Sequence, residues 1–134
     1  MSNLHSGGCQ CGAMRYQFYA PLHDIAHCHC AICRRCSGAI VTTWITVPLA
    51  SFVWLKGVAK NYASSASCTR YFCADCGAQL ALLTTLSPGT LDVTIATLDN
   101  PELAPADRHI WVQSRLPWLR LNPELPEEQQ EFIP

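Results

Sequence analysis

Charge is what this chain has least of. Only 14% of its 134 residues are Asp, Glu, Lys or Arg, against roughly a quarter in an ordinary soluble domain. Acids and bases nearly cancel at a net charge of −1, so no basic field exists to attract nucleic acid or anionic lipid. The local basic pair Arg34–Arg35 is too small to change that. Long apolar runs are missing too. The longest, Ala39 to Leu55, is interrupted by Thr42, Thr43, Thr46, Pro48 and Ser51, which argues against a membrane span. Met1–Gly8 carries neither a basic nor an apolar segment, so no secretory signal is expected and the protein is expected in the cytoplasm. No fixed-period repeat appears, and the length suits one domain, 1–134. With 49% hydrophobic residues, such a chain can bury roughly two-thirds of its unfolded surface without covalent staples. Sparse charge also leaves apolar surface to be covered by a ligand, a partner or a second copy in a homo-oligomer.

Cysteine, by contrast, is plentiful. There are nine, an odd number, and structural disulfides are rare in a reducing compartment. An isolated cysteine such as Cys68 reads as an inert buried thiol. Clusters do not. Seven of the nine fall into three tight groups: Cys9 and Cys11; Cys28, Cys30 and Cys33; Cys73 and Cys76. Metal binding explains that spacing better than chance burial.

Cys9-Gln10-Cys11-Gly12 and Cys73-Ala74-Asp75-Cys76-Gly77 are both cysteine pairs followed by glycine. Glycine there lets the backbone turn with positive φ, so that amides point at the sulfurs. Two such knuckles together offer four thiolates in a tetrahedron, a closed structural zinc site. Zinc there would contribute on the order of 10 kcal/mol to folding. In the third group a short helix over Cys30–Ser37, ended by Gly38, puts Cys30 and Cys33 on one face. Cys28 reaches the same point from the extended lead-in. Arg34, Arg35 and the helix start are expected to lower the thiol pKa values. Three ligands leave zinc a reactive position; Cys36 or His29 as a fourth would close it. An iron–sulfur cluster matches neither ferredoxin spacing, and a Cys30–Cys33 redox pair lacks its βαβ setting.

Most of the remaining pattern reads as short strands. Met14, Tyr16 and Phe18 alternate with polar neighbours; Val41–Val47 is β-branched and stops at Pro48. Phe52–Lys56 and Lys60–Ser64 read as a hairpin around Gly57. Thr69–Phe72, Gln79–Thr84, Thr90–Ala96 and Ile110–Ser114 complete the series, with a turn at Ser87-Pro88-Gly89. From Asn122 the chain is acidic and proline-containing, a peripheral arm or disordered end over about 122–134. Arg70 and Tyr71 read as structural, and His109 with Trp111 as a packed strand with an aromatic anchor.

The order Gly8-Cys9-Gln10-Cys11-Gly12, Cys28-His29-Cys30 with Cys33-Arg34 and Gly38, then Arg70-Tyr71-Phe72-Cys73 with Cys76-Gly77 resembles the glutathione-dependent formaldehyde-activating family. Centromere protein V is a eukaryotic relative. The resemblance runs from about Gly7 to the Leu98-Asp99-Asn100-Pro101 turn and extends towards His109-Ile110-Trp111. It implies a mostly β fold, the β-tent, whose antiparallel sheets are built around a four-cysteine zinc site. It implies two zinc ions: a structural one on Cys9, Cys11, Cys73 and Cys76, and a catalytic one on Cys28, Cys30 and Cys33. The implied activity is that of a carbon–sulfur lyase run in reverse, joining formaldehyde to glutathione as S-hydroxymethylglutathione; another small thiol or aldehyde fits equally well. This chain departs from the family's usual look at Cys36.

Overall fold

The computed structural model describes residues 3–131; Met1, Ser2 and the tail residues Phe132, Ile133 and Pro134 lie outside the described residues. The first half holds β1 (Leu4–Gly8), β2 (Arg15–Tyr19), β3 (Ile25–Cys28), α1 (Ala31–Ser37), β4 (Thr42–Pro48) and β5 (Phe52–Lys56). The second holds β6 (Lys60–Ala63), β7 (Cys68–Phe72), β8 (Gln79–Thr84), β9 (Thr90–Thr94) and β10 (Arg108–Ile110). The fold is mostly β, as the pattern of short alternating segments implies. Among the described residues, no helix is long and apolar enough to cross a membrane.

Two sheets form. One has the order β1-β2-β5, the other β10-β3-β4-β9-β8-β7-β6. Every pairing is antiparallel except β10 with β3. Period-two alternation sends Tyr16 and Phe18 inward, and the register sets Trp54 and Phe52 beside them. The Phe52 and Trp54 rings meet edge to face at 4.9 Å, a geometry the ring quadrupoles favour. The same core takes Ile45, Val47, Leu80, Leu91 and Val93 from the larger sheet. The two sheets thus share one interior.

Three sequence expectations need correction. Phe52–Lys56 and Lys60–Ser64 are not a hairpin: β5 pairs with β2, while β6 pairs with β7 in the other sheet. The reason is Gly57, whose φ of 83° turns the chain out of one sheet and into the other; the backbone oxygen of Ala13 and the Met14 sulfur press against it, where a Cβ would not fit. The strand at Ile110–Ser114 is shorter and earlier, because Trp111 adopts a left-handed φ of 57° and Val112–Ser114 coils into a 3₁₀ turn. Thr90–Ala96 likewise ends as a strand at Thr94, before a 3₁₀ turn at Ile95–Thr97. The tail does not hang free over 126–128. His109 donates its backbone N–H to the Pro126 carbonyl, and Glu128 N–H returns to the His109 carbonyl, both at 2.9 Å.

Candidate metal centre and its cavity

The two cysteine knuckles sit at equivalent places. Cys9 and Cys11 lie in the turn joining β1 to β2; Cys73 and Cys76 lie in the turn joining β7 to β8. Gly12 and Gly77 take φ values of 80° and 78°, the left-handed conformation that sequence reasoning assigns to a glycine there. Amides then face sulfur: Met14 N–H donates to Cys9 Sγ at 3.2 Å, and Asp75 N–H to Cys73 Sγ at 3.4 Å. All four Sγ atoms lie within 4.8 Å of one another. The Cys9–Cys11 and Cys11–Cys73 sulfurs are 3.6 and 3.7 Å apart. A tetrahedron with zinc–sulfur bonds of 2.3 Å has edges of about 3.8 Å, so the donor set fits zinc. Backbone N–H from Ala78 leads the effects that lower Cys76 to about 6, so the site offers a ready thiolate.

The second group is built from the end of β3 and the start of α1. Cys28 closes the strand, Cys30 caps the helix by accepting the Cys33 N–H at 3.2 Å, and Cys33 faces inward one turn on. Gly38 ends the helix at φ 73°. The Cys28 and Cys33 sulfurs are 3.5 Å apart, and all three lie within 4.8 Å of one another. Hydrogen bonds from Cys28 and Cys33 hold the Cys30 thiol far below its ordinary pKa. The same contacts push Cys28 well above its own. Three thiols this close cannot all ionise unaided, and a cation gathering all three relieves their repulsion.

Neither Cys36 nor His29 joins that trio within 4.8 Å. His29 is turned to another task. The Asn122 carbonyl accepts from His109 Nε2 at 3.0 Å, which leaves His109 Nδ1 as acceptor for His29 Nε2–H at 2.8 Å. Burial, then the neighbouring His109, lowers His29 to about 4. The ring is neutral and fixed, with its buried Nδ1 free of partners.

The guanidinium beside the thiols belongs to Arg70, not to Arg34 or Arg35 as the sequence led one to expect. Arg70 is only 3% exposed. Its Nη2 donates to Cys33 Sγ at 3.4 Å, its Nε to Ser64 Oγ at 2.9 Å, and it lies 5.9 Å from the Trp44 ring centroid. The clue in the sequence was a lone charge in β7, whose cross-strand neighbours are the uncharged Tyr62 and Leu82. Only the fold shows that thiols answer it.

The trio forms one wall of a cavity of about 570 Å³. Trp44, Leu82, Leu86, Ile110 and Trp111 supply apolar wall; Arg70, Asp92, Arg108 and Glu131 supply the charge. Trp111 is thus a cavity wall as much as a packed anchor. Cys68, read as an isolated thiol, lines the same space.

The fold is similar to that of a Rhodobacter sphaeroides protein of known crystal structure, with a TM-score of 0.62 at 24% sequence identity, over 75% of this chain and 96% of that one. Residues 4–114 match the family described as glutathione-dependent formaldehyde-activating enzyme. With both cysteine groups inside that span, the chain belongs to the glutathione-dependent formaldehyde-activating enzyme family.

Proposed function

We propose that this protein is a zinc-dependent enzyme that joins an aldehyde to a small thiol, the reverse of a carbon–sulfur lyase, in the reducing cytoplasm. The family name supplies glutathione and formaldehyde as the reference pair. Cys9, Cys11, Cys73 and Cys76 would hold a structural zinc; Cys28, Cys30 and Cys33 would hold the catalytic one. One observation carries the reading: three cysteine sulfurs gather within 4.8 Å on the wall of a cavity, and no fourth Cys, His, Asp or Glu among the described residues joins them.

Zinc bound by three thiolates would favour the thiolate form of an incoming thiol or polarise a carbonyl oxygen. The chain's own residues set the stage for that chemistry. The helix start steadies the Cys30 charge through the Cys33 N–H. Arg70 holds Cys33 in place. The His29–His109 pair, tied to the Asn122 carbonyl, anchors the segment between Cys28 and Cys30. The cavity brings thiol and aldehyde together and sheds water, which alone lowers a bimolecular barrier by several kcal/mol.

The adduct also forms spontaneously, so the test is a rate. Zinc-loaded protein should accelerate adduct formation above the uncatalysed rate. Cys30→Ser should reduce that acceleration by at least about 100-fold, the upper end of what outer-shell partners cost at metal sites. Equal rates with and without protein would remove the enzymatic reading.

A further inference from the structure

We infer that the cavity beside the cysteine trio holds an aldehyde with an apolar body, larger than formaldehyde, and that Arg70 binds its oxygen. This deepens the thiol–aldehyde reading above and rests on it.

Size and lining both argue for it. About 570 Å³ falls in the range that encloses whole small-molecule ligands. A one-carbon aldehyde would leave water standing against Trp44, Leu82 and Ile110, surfaces that gain by being covered with carbon. Glutathione fits the wall poorly. Its two carboxylates need two free cations, and the lining supplies Arg70 and an Arg108 already paired to Asp24 and Asp107 at 2.8 Å each. Asp92 on the same wall, ionised at neutral pH, repels a further carboxylate.

Arg70 is the second observation. It lines the cavity, it is buried, and its Nη1 has no hydrogen-bond partner while Nε and Nη2 are both engaged. Buried N–H groups left unpaired are costly and rare. An oxygen carrying developing negative charge would satisfy it, placed between the sulfur trio and the apolar wall. The chemistry balances. The thiol sulfur attacks the carbonyl carbon and a carbon–sulfur bond forms. The C=O π pair moves to oxygen, and the proton lost by the thiol ends there, giving a hydroxyalkyl thioether. Arg70 donates to that oxygen while it is anionic.

Two measurements decide it. In the first, adduct formation with one thiol is followed for formaldehyde, butanal and phenylacetaldehyde, each divided by its own spontaneous rate. Burial gains about fourfold per methylene, so phenylacetaldehyde should be accelerated at least tenfold more than formaldehyde. Acceleration of formaldehyde alone overturns the inference and leaves the proposed function standing. Acceleration of no aldehyde removes both.

The second is binding to zinc-loaded protein, read by tryptophan fluorescence with phenylacetate, acetate and toluene. Phenylacetate should bind at least tenfold more tightly than either fragment. Arg70→Gln should weaken it by about tenfold or more, as for a charged hydrogen bond, and leave toluene unchanged. Unchanged phenylacetate affinity in Arg70→Gln overturns the role of Arg70. If that variant loses toluene as well, the wild-type comparison alone decides, and equal affinities for the three probes sink the proposal. Displacement of phenylacetate by S-methylglutathione would give the cavity to the thiol instead.

Discussion

Asp92 faces the same cavity as the cysteine trio and is held there by the Thr46 hydroxyl, which donates to it at 2.6 Å. Burial, more than that hydrogen bond offsets, raises its carboxyl from 3.8 to about 6. The sign follows from proton counting. Between pH 3.8 and about 6 the folded chain keeps a proton that the unfolded chain has released, so stability falls as pH rises through that window. Asp92→Asn keeps the acceptor for Thr46 and removes the titration. It should therefore be more stable than the parent at pH 7 by on the order of 3 kcal/mol, and equal to it near pH 3.5. Urea unfolding at the two pH values checks this; a gain that persists at pH 3.5 would point to packing instead. The ligand question is also settled at single residues. Cys33→Ser should lower the zinc content from two ions to one, whereas Cys36→Ser should keep both, measured by elemental analysis of the purified variants. The sequence made the cysteine groups legible because thiolate spacing is local. It left Arg70 and Asp92 unread, since their roles depend on strands that meet only in the folded sheet.

At the level of elements, the alternating segments and the helix stops were readable, and two glycines show why some connections were not. Gly38 and Gly57 both take positive φ, at 73° and 83°. Gly38 caps α1 in open space, whereas a Cβ on Gly57 would run into the Ala13 carbonyl oxygen and the Met14 sulfur. From sequence alone each is simply a glycine after a regular segment. Gly38→Ala should thus cost about 1 kcal/mol, the penalty of a left-handed alanine. Gly57→Ala adds a backbone clash at the crossing between sheets and should cost about 3 kcal/mol or more. The check is the denaturation midpoint of each variant at unchanged m-value; equal losses would mean that the crossing yields without strain. β3 escaped notice because it is only four residues long and His27 interrupts its apolar pattern. His27 bonds the Thr43 hydroxyl at 2.7 Å, so the imidazole that hides the strand is engaged across it to β4.

Across the whole molecule the two cysteine groups occupy different kinds of position. Cys11 and Cys73 are 62 residues apart in the chain yet have sulfurs 3.7 Å apart, joining the β1–β2 turn of one sheet to the β7–β8 turn of the other. Metal there would close a long loop and clamp the two sheets over their shared core, so its removal releases both chain entropy and packing. Cys28, Cys30 and Cys33 close only a few residues between the end of β3 and the first turn of α1. Removing metal from them frees one wall of the cavity and leaves the sheets clamped. A graded chelator titration should consequently release zinc in two steps. The first ion should leave with the far-UV circular dichroism unchanged and with loss of adduct-forming activity. The second should leave together with the β signal, because binding energy on the order of 10 kcal/mol, as in structural zinc peptides, matches or exceeds the usual stability of a domain this size. Zinc release followed by a colorimetric indicator alongside the dichroism separates the steps. If the sheet signal outlasts both ions, the clamp is not what keeps the sheets together, and the core around Tyr16, Phe18 and Leu80 holds the fold by itself.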